Sequence, residues 1–253
     1  MALLDVDSVT VRFGGIVALD HLSFGVEPGQ ICGLIGPNGA GKTTMFNVVS
    51  RIYQPTEGKI TFDGHNLLTA RPNSISQMGI FRTFQNLALW PGLTVLENVM
   101  VGAHVHGKVG IGKSLLGVPA IGEDRTMATE AYQILDQLGL AGIAFRRAAG
   151  LPYGTLKRIE LARALAGRPR FLMLDEPASG LAHSEVDELA ALIRSVRDQY
   201  QLTILLVEHH MAMVMALSDH VVVLDFGRKI AEGPPTEVAR NPKVIEAYLG
   251  TAA

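Results

Sequence analysis

The stretch Ile31-Cys-Gly-Leu-Ile35-Gly36-Pro-Asn-Gly-Ala-Gly41-Lys42-Thr43-Thr44 decides the fold. Residues 31–35 are a short apolar run, too brief for a helix, and read as a buried strand. Residues 36–43 then match G-x-x-x-x-G-K-[ST], and a helical pattern runs on from Lys42 to Ser50. Strand, glycine loop and helix in that order make a cradle for phosphate. The glycines let backbone N–H groups converge on phosphate oxygens, and the helix adds the positive end of its dipole. Asn38, Gly39, Ala40 and Gly41 contribute backbone, and Lys42 supplies a point charge for the β and γ phosphates of a nucleotide. Thr43 offers a hydroxyl to Mg²⁺, and Thr44 adds a phosphate contact at the helix start. A chance glycine-rich loop would lack the flanking strand and helix.

Outward from this loop the pattern is mixed. Leu3 to Phe24 alternates around Gly14-Gly15, and Lys59 to Phe62 precedes an Asp63-Gly64 turn, which predicts a small antiparallel sheet over 1–30 and 56–64. Phe171 to Leu174 and Thr203 to Val207 are continuous apolar runs, each followed by a helical segment, as in parallel strands buried on both faces. His220 to Asp225 reads as a further strand. Between 86 and 150 the periodicity is helical, over Val95 to His104 and Glu123 to Leu138, with no buried strand. The fold class is therefore α/β, a phosphate-loop NTPase with an antiparallel β subdomain and an inserted helical subdomain, all within one domain over 1–253. Inside the insert, Gly107 to Gly122 is rich in glycine and small apolar residues, and a loop that long is either functional or mobile.

Composition excludes several classes. The chain has 253 residues, a net charge of −2 and 48% hydrophobic residues, enough to bury a large core. No apolar run approaches the roughly 20 residues that span a bilayer, and Met1 to Asp7 is too acidic and too short in apolar run for a signal peptide. The expected location is cytoplasmic. The single cysteine, Cys32, excludes an internal disulfide framework and reads as a buried small hydrophobe. Without a basic patch, no nucleic-acid partner is expected.

A second half of the site lies at Phe171-Leu-Met-Leu174-Asp175-Glu176, a strand ending in two carboxylates. Alone, such a pair is ordinarily a solvated turn. Paired with the phosphate loop, Asp175 is placed to hold Mg²⁺ and Glu176 to orient or deprotonate an attacking water.

These two motifs, with Gln85, Leu151-Pro-Tyr-Gly-Thr155 and Glu208-His209, resemble the nucleotide-binding domain of ABC transporters in order and spacing. Within that family the chain looks most like the larger ATPase subunit of high-affinity branched-chain amino acid importers. Val11-Arg-Phe-Gly-Gly15, Phe81-Arg-Thr-Phe-Gln-Asn86, Glu176-Pro-Ala-Ser-Gly-Leu181, Val207-Glu-His209 and Asn241 to Leu249 carry that likeness. The resemblance implies that Phe13 stacks on adenine, that Gln85 reaches Mg²⁺ or water, and that His209 hydrogen-bonds the γ-phosphate, with His210 facing solvent. It implies that Gly154 acts in trans, in the site of a second ATPase subunit, unlike or identical. ATP and Mg²⁺ are the implied ligands. The implied partners are two permease transmembrane subunits and, through the complex, an extracytoplasmic solute-binding protein, with the chain peripheral at the inner face of the cell membrane. Branched-chain amino acids are the favoured solutes; urea, short amides and other amino acids stay open.

Two departures matter. Pro152, Tyr153 and Thr155 replace the serine, first glycine and glutamine of the usual Leu-Ser-Gly-Gly-Gln, and Ala182 replaces the acid common after Ser179-Gly180-Leu181. The signature's task, aiming a helix N-terminus at a phosphate, survives without the serine, but one hydroxyl contact does not. The apolar set Leu87, Leu89, Trp90, Pro91 and Leu93 reads as core or as a docking groove, and the resemblance implies a groove for a permease helix. Rival classes are a kinase or GTPase and a soluble ABC protein acting on DNA or ribosomes. No Asn-Lys-x-Asp motif, tandem cassette or heptad array supports either.

Overall fold

The computed structural model describes residues 2–83, 87–104 and 121–249, with the side chains of 121–124 and 249 left aside. The insert at 107–122 therefore lies almost wholly outside the described residues, as does Gln85.

Two sheets form the frame. Strands β1 (Leu4–Phe13), β2 (Ile16–Val26), β4 (Glu57–Phe62) and β5 (His65–Asn66) make an antiparallel sheet in the order β2-β1-β4-β5. The second sheet runs β10-β9-β3-β8-β7-β6, from β3 (Ile31–Ile35), β6 (Ile80–Arg82), β7 (Phe171–Asp175), β8 (Thr203–Val207), β9 (His220–Asp225) and β10 (Arg228–Gly233). Its strands are parallel except for the β9–β10 hairpin. Sequence periodicity missed β6 and β10. Both are edge strands; β6 has three residues and ends in arginine, and β10 is half-exposed with a register shift.

The apolar runs are buried on both faces, as continuous hydrophobic strands require. Leu172, Leu174, Ile204 and Leu206 join one core with the helices, while Phe171, Met173, Leu205 and Val207 join another with the antiparallel sheet. Cys32 lies in the second core, fully buried, and burial pushes its thiol pKa far up.

Helix α1 (Lys42–Val49) follows the glycine loop. Helices α2 (Val95–Ala103), α3 (Ile121–Gln137) and α4 (Tyr153–Ala166) pack on one another. The start of α2 is written in Thr94-x-x-Glu97: the Thr94 hydroxyl accepts the Glu97 N–H at 3.2 Å, and Glu97 Oε2 accepts the Thr94 N–H at 2.7 Å. Helix α5 (His183–Tyr200) follows β7, and α6 (Met211–Leu217) follows β8. Two C-terminal helices, α7 (Pro235–Val238) and α8 (Pro242–Leu249), bring Val238 and Val244 into a small core with Ile35, Val214, Val221 and Val223. Among the described residues, no helix is long and apolar enough to cross a membrane.

Candidate functional site

Register places the motifs at one edge. Val207 is paired with Leu34 on one side and Asp175 on the other, so β3, β8 and β7 end level. The segments that follow them, from Gly36, Glu176 and Glu208, leave the sheet together at its carboxyl end, where parallel α/β sheets bind ligands.

The phosphate loop is held from beneath. The Gly227 N–H donates to Ala40 O at 3.1 Å, and the Asp20 N–H donates to Gly227 O at 2.9 Å, so the β9–β10 turn ties the loop to β2. Gly36, at φ 152°, passes so close to Leu224 that an added Cβ would lie 2.1 Å from its carbonyl oxygen. Gly41, at φ 103°, has no more freedom, because its Cβ would meet Ala18 O at 2.7 Å. Lys42 folds back and donates from Nζ to Gly36 O at 2.7 Å and Pro37 O at 2.9 Å. Burial lowers the pKa of its ammonium, and the fields of Glu176 and Asp175 oppose that shift. The loop's lysine and the two carboxylates thus share one electrostatic site. Thr43 is exposed and Thr44 half-buried at the first turn of α1.

Asp175 is buried, and its carboxylate Oδ2 accepts from Arg82 at 2.6 Å. Glu176 follows with φ 47°, in the region that non-glycine residues seldom adopt outside special sites. His209 Nδ1 lies 3.9 Å from Glu176 Oε2. The orientation of the histidine pair differs from the sequence expectation: His209 is the exposed one, and His210, expected in solvent, is half-buried. Glu208 explains the arrangement. Its buried carboxylate accepts the backbone N–H groups of Ala178 at 2.6 Å, His209 at 2.9 Å and His210 at 3.1 Å, clamping the two segments beside β7 and β8. Sequence reasoning assigned no role to Glu208 or Arg82, since a charged residue beside a motif resembles any solvated neighbour.

Phe13 ends β1 with its ring 44% exposed, edge-on to Tyr53 at 5.1 Å. Helix α4 is preceded by the cap residue Pro152, whose side chain accepts no hydrogen bond from the helix's first N–H groups. The Tyr153 ring lies over Gly180, and Lys157 Nζ stands 5.6 Å from the ring centroid. Gly154 passes close to Glu185, whose Oε1 an added Cβ would approach to 2.8 Å. Trp90 is 49% exposed beside a groove of about 310 Å³ lined by Phe81, Ala88, Val101 and Arg163, while Leu89 packs on the core.

The Thr43 hydroxyl and the Asp175 carboxylate are oxygen donors of the kind that would suit a hard cation such as Mg²⁺. Among the described residues there is no cluster of three or more His, Cys, Asp or Glu that could hold a metal.

Glycine loop, level strand ends and paired carboxylates define a phosphate-loop nucleotide-binding protein. Comparison with known proteins narrows the class: the ABC transporter family matches residues 19–179, and the C-terminal pattern of branched-chain amino acid ATP-binding cassette transporters matches 228–253. The chain belongs to the ABC transporter family. It is 43% identical over 251 residues to the high-affinity branched-chain amino acid transport ATP-binding protein BraF of Pseudomonas aeruginosa, spanning 99% of this chain and 98% of that one. It is 41% identical, over the same shares, to LivG of Escherichia coli, which bears the same description. Among solved structures, a nucleotide-free ATP-binding cassette of an ABC transporter superposes with TM-score 0.86 at 31% identity, covering 99% of this chain and 100% of the other. A cassette in its ADP conformation superposes with TM-score 0.87 at 31% identity, covering 99% of both.

Proposed function

We propose that this chain is the ATP-hydrolysing subunit of an ABC importer for branched-chain amino acids. The observation that carries the reading is the convergence of Lys42, Asp175, Glu176 and His209 where β3, β7 and β8 end level. Relatives 41–43% identical over nearly their whole lengths support the solute class.

In this reading ATP is the substrate. The N–H groups of residues 38–41 and Lys42 Nζ hold its phosphates, the ammonium turning from the Gly36 and Pro37 carbonyls to do so. Phe13 offers its exposed ring to the adenine. Mg²⁺, held by Thr43, Asp175 and Gln85, would neutralise charge developing on the phosphates. Glu176 orients water and accepts its proton, and His209 holds the γ-phosphate. The uncapped start of α4, through Gly154, faces the nucleotide of a second ATPase subunit. The helical subdomain proposed over 86–150 presents Trp90 and its groove to a permease helix. Closure of the ATPase pair then moves the two membrane chains, loaded outside by a solute-binding protein. The chain works at the inner face of the cell membrane.

The test is reconstitution with the permease, second ATPase and binding protein in liposomes. Leucine uptake should require ATP, and Trp90→Ala should abolish uptake while sparing ATP binding. Normal uptake by that variant rejects the docking role. A complex whose binding protein takes urea or an amide, and not leucine, rejects the solute.

A further inference from the structure

One largely buried charge joins the phosphate-loop helix to the tip of β7, and no step above uses it. Arg82, the last residue of β6, has a side chain only 11% exposed. Its Nη2 donates to Asp175 Oδ2 at 2.6 Å, and its Nη1 donates to Asn47 Oδ1 at 2.8 Å and, weakly, to Ser50 Oγ at 3.5 Å. The guanidinium carbon stands 5.3 Å over the ring of Phe46. Asn47 and Phe46 are on α1, whose first residues are Lys42 and Thr43. Beside Arg82, Thr83 donates its N–H to Met173 O at 2.9 Å, and Asp175 donates its N–H to Thr83 Oγ1 at 3.4 Å. One planar fork thus joins the phosphate-loop helix, the acid at the tip of β7, and the strand leading to Gln85.

We propose that Arg82 is a positioning residue for Mg²⁺: it occupies Oδ2 of Asp175, fixes the orientation of that carboxylate, and leaves Oδ1 to the metal's water shell. The proposal rests on the reading of this site as a Mg-ATP site. Two physical arguments carry it. Asp175 is buried, and a carboxylate held at one oxygen by a hydrogen bond presents the other to a hard cation in a fixed place. Stability alone does not call for a guanidinium here, because well-packed apolar side chains often replace a buried ion pair without loss. The fork geometry matters as well: arginine bonds Asp175 and Asn47 from separate nitrogens, whereas lysine is a single point charge.

The test titrates a fluorescent ATP analogue against the full chain, first in EDTA and then at rising Mg²⁺. Partners that orient metal ligands typically contribute 10- to 100-fold in metal affinity, so Arg82→Met should raise the Mg²⁺ midpoint by about tenfold or more. Its affinity for the analogue in EDTA should stay within about twofold, since phosphate-loop contacts are untouched. Arg82→Lys should recover part of the loss, and the effect of Arg82→Met should vanish in an Asp175→Asn background. A merely structural role would weaken binding in EDTA and Mg²⁺ alike and would overturn the proposal. Should Arg82→Met not fold, Asn47→Ala carries the test, with a midpoint raised about threefold expected and an unchanged midpoint overturning it. An unshifted midpoint in a folded Arg82→Met overturns the proposal alone. Binding by the unaltered chain that ignores Mg²⁺ overturns the Mg-ATP reading with it.

Discussion

Two helix N-termini, those of α1 and α4, are built on opposite terms. At α1 the constraints are tight: Gly36 and Gly41 leave no room for a Cβ, and Lys42 is bonded to two loop carbonyls. At α4 the surroundings are looser. Pro152 caps nothing with its side chain, Tyr153 is 40% exposed, and Gly154 is crowded by the flexible end of Glu185 rather than by backbone. The contrast shows which sequence changes each site tolerates. Where neighbours fix side-chain volume and charge, residue types are dictated; if α4 acts through backbone direction alone, serine and glutamine there would be dispensable. In a pair of unlike ATPases, the site built on this chain's own loop is then the more complete one if the partner's signature is fuller.

The largest expected effect tests that asymmetry. Glu176→Gln should lower ATP turnover of the assembled complex by about 10²- to 10⁴-fold, the range for a lost general base, with ATP binding retained. The matching change in the partner ATPase should cost less. Single-turnover ATPase measurements on both complexes decide it, and equal or greater loss from the partner's change breaks the comparison. A second test compares glycines within the α1 loop. Gly36→Ala forces a carbon against Leu224 O at 2.1 Å, so nucleotide affinity should fall at least about tenfold, with overpacking strain of about 1–3 kcal/mol. Gly39→Ala meets nothing within 4 Å and should cost only the left-handed backbone penalty at φ 81°, about 1–2 kcal/mol. Thermal melting and equilibrium binding on both variants separate the two.

Legibility followed the same line. The loop, β3, β7 and β8 could be read because each combines a continuous apolar run with obligatory glycines or acids, and Leu34, Val207 and Asp175 come level as that pattern requires. The roles of Arg82 and Glu208 could not. The partners of Arg82, Asn47 and Asp175, are 35 and 93 residues away, and only the fold brings them together. The half-burial of His210 was misjudged, because the Glu208 clamp that holds its backbone is not visible in periodicity. β10 was invisible for a plainer reason: an edge strand with one face in solvent lacks a continuous apolar run.

The smallest effect probes how tightly the α4 end is bound to its neighbour. The cap residue before helix α5, Ala182, is in extended conformation, and Glu185 Oε2 already accepts the Ala182 N–H at 2.9 Å. Half of a capping box is present; alanine has no oxygen to return the bond. Ala182→Asp would supply that acceptor and place a negative charge at the positive end of the helix, stabilising it by about 1 kcal/mol and raising Tm by about 2–4 °C. The same Glu185 carboxylate flanks Gly154, so tightening the cap also fixes the side chain that borders the start of α4. If α4 acts only through backbone direction, turnover of the complex should stay within about twofold while Tm rises. A change in turnover beyond about tenfold with no gain in Tm would mean that position 182 acts on nucleotide across the subunit boundary. The tolerance attributed to the α4 end would then extend no further than Pro152 and Tyr153.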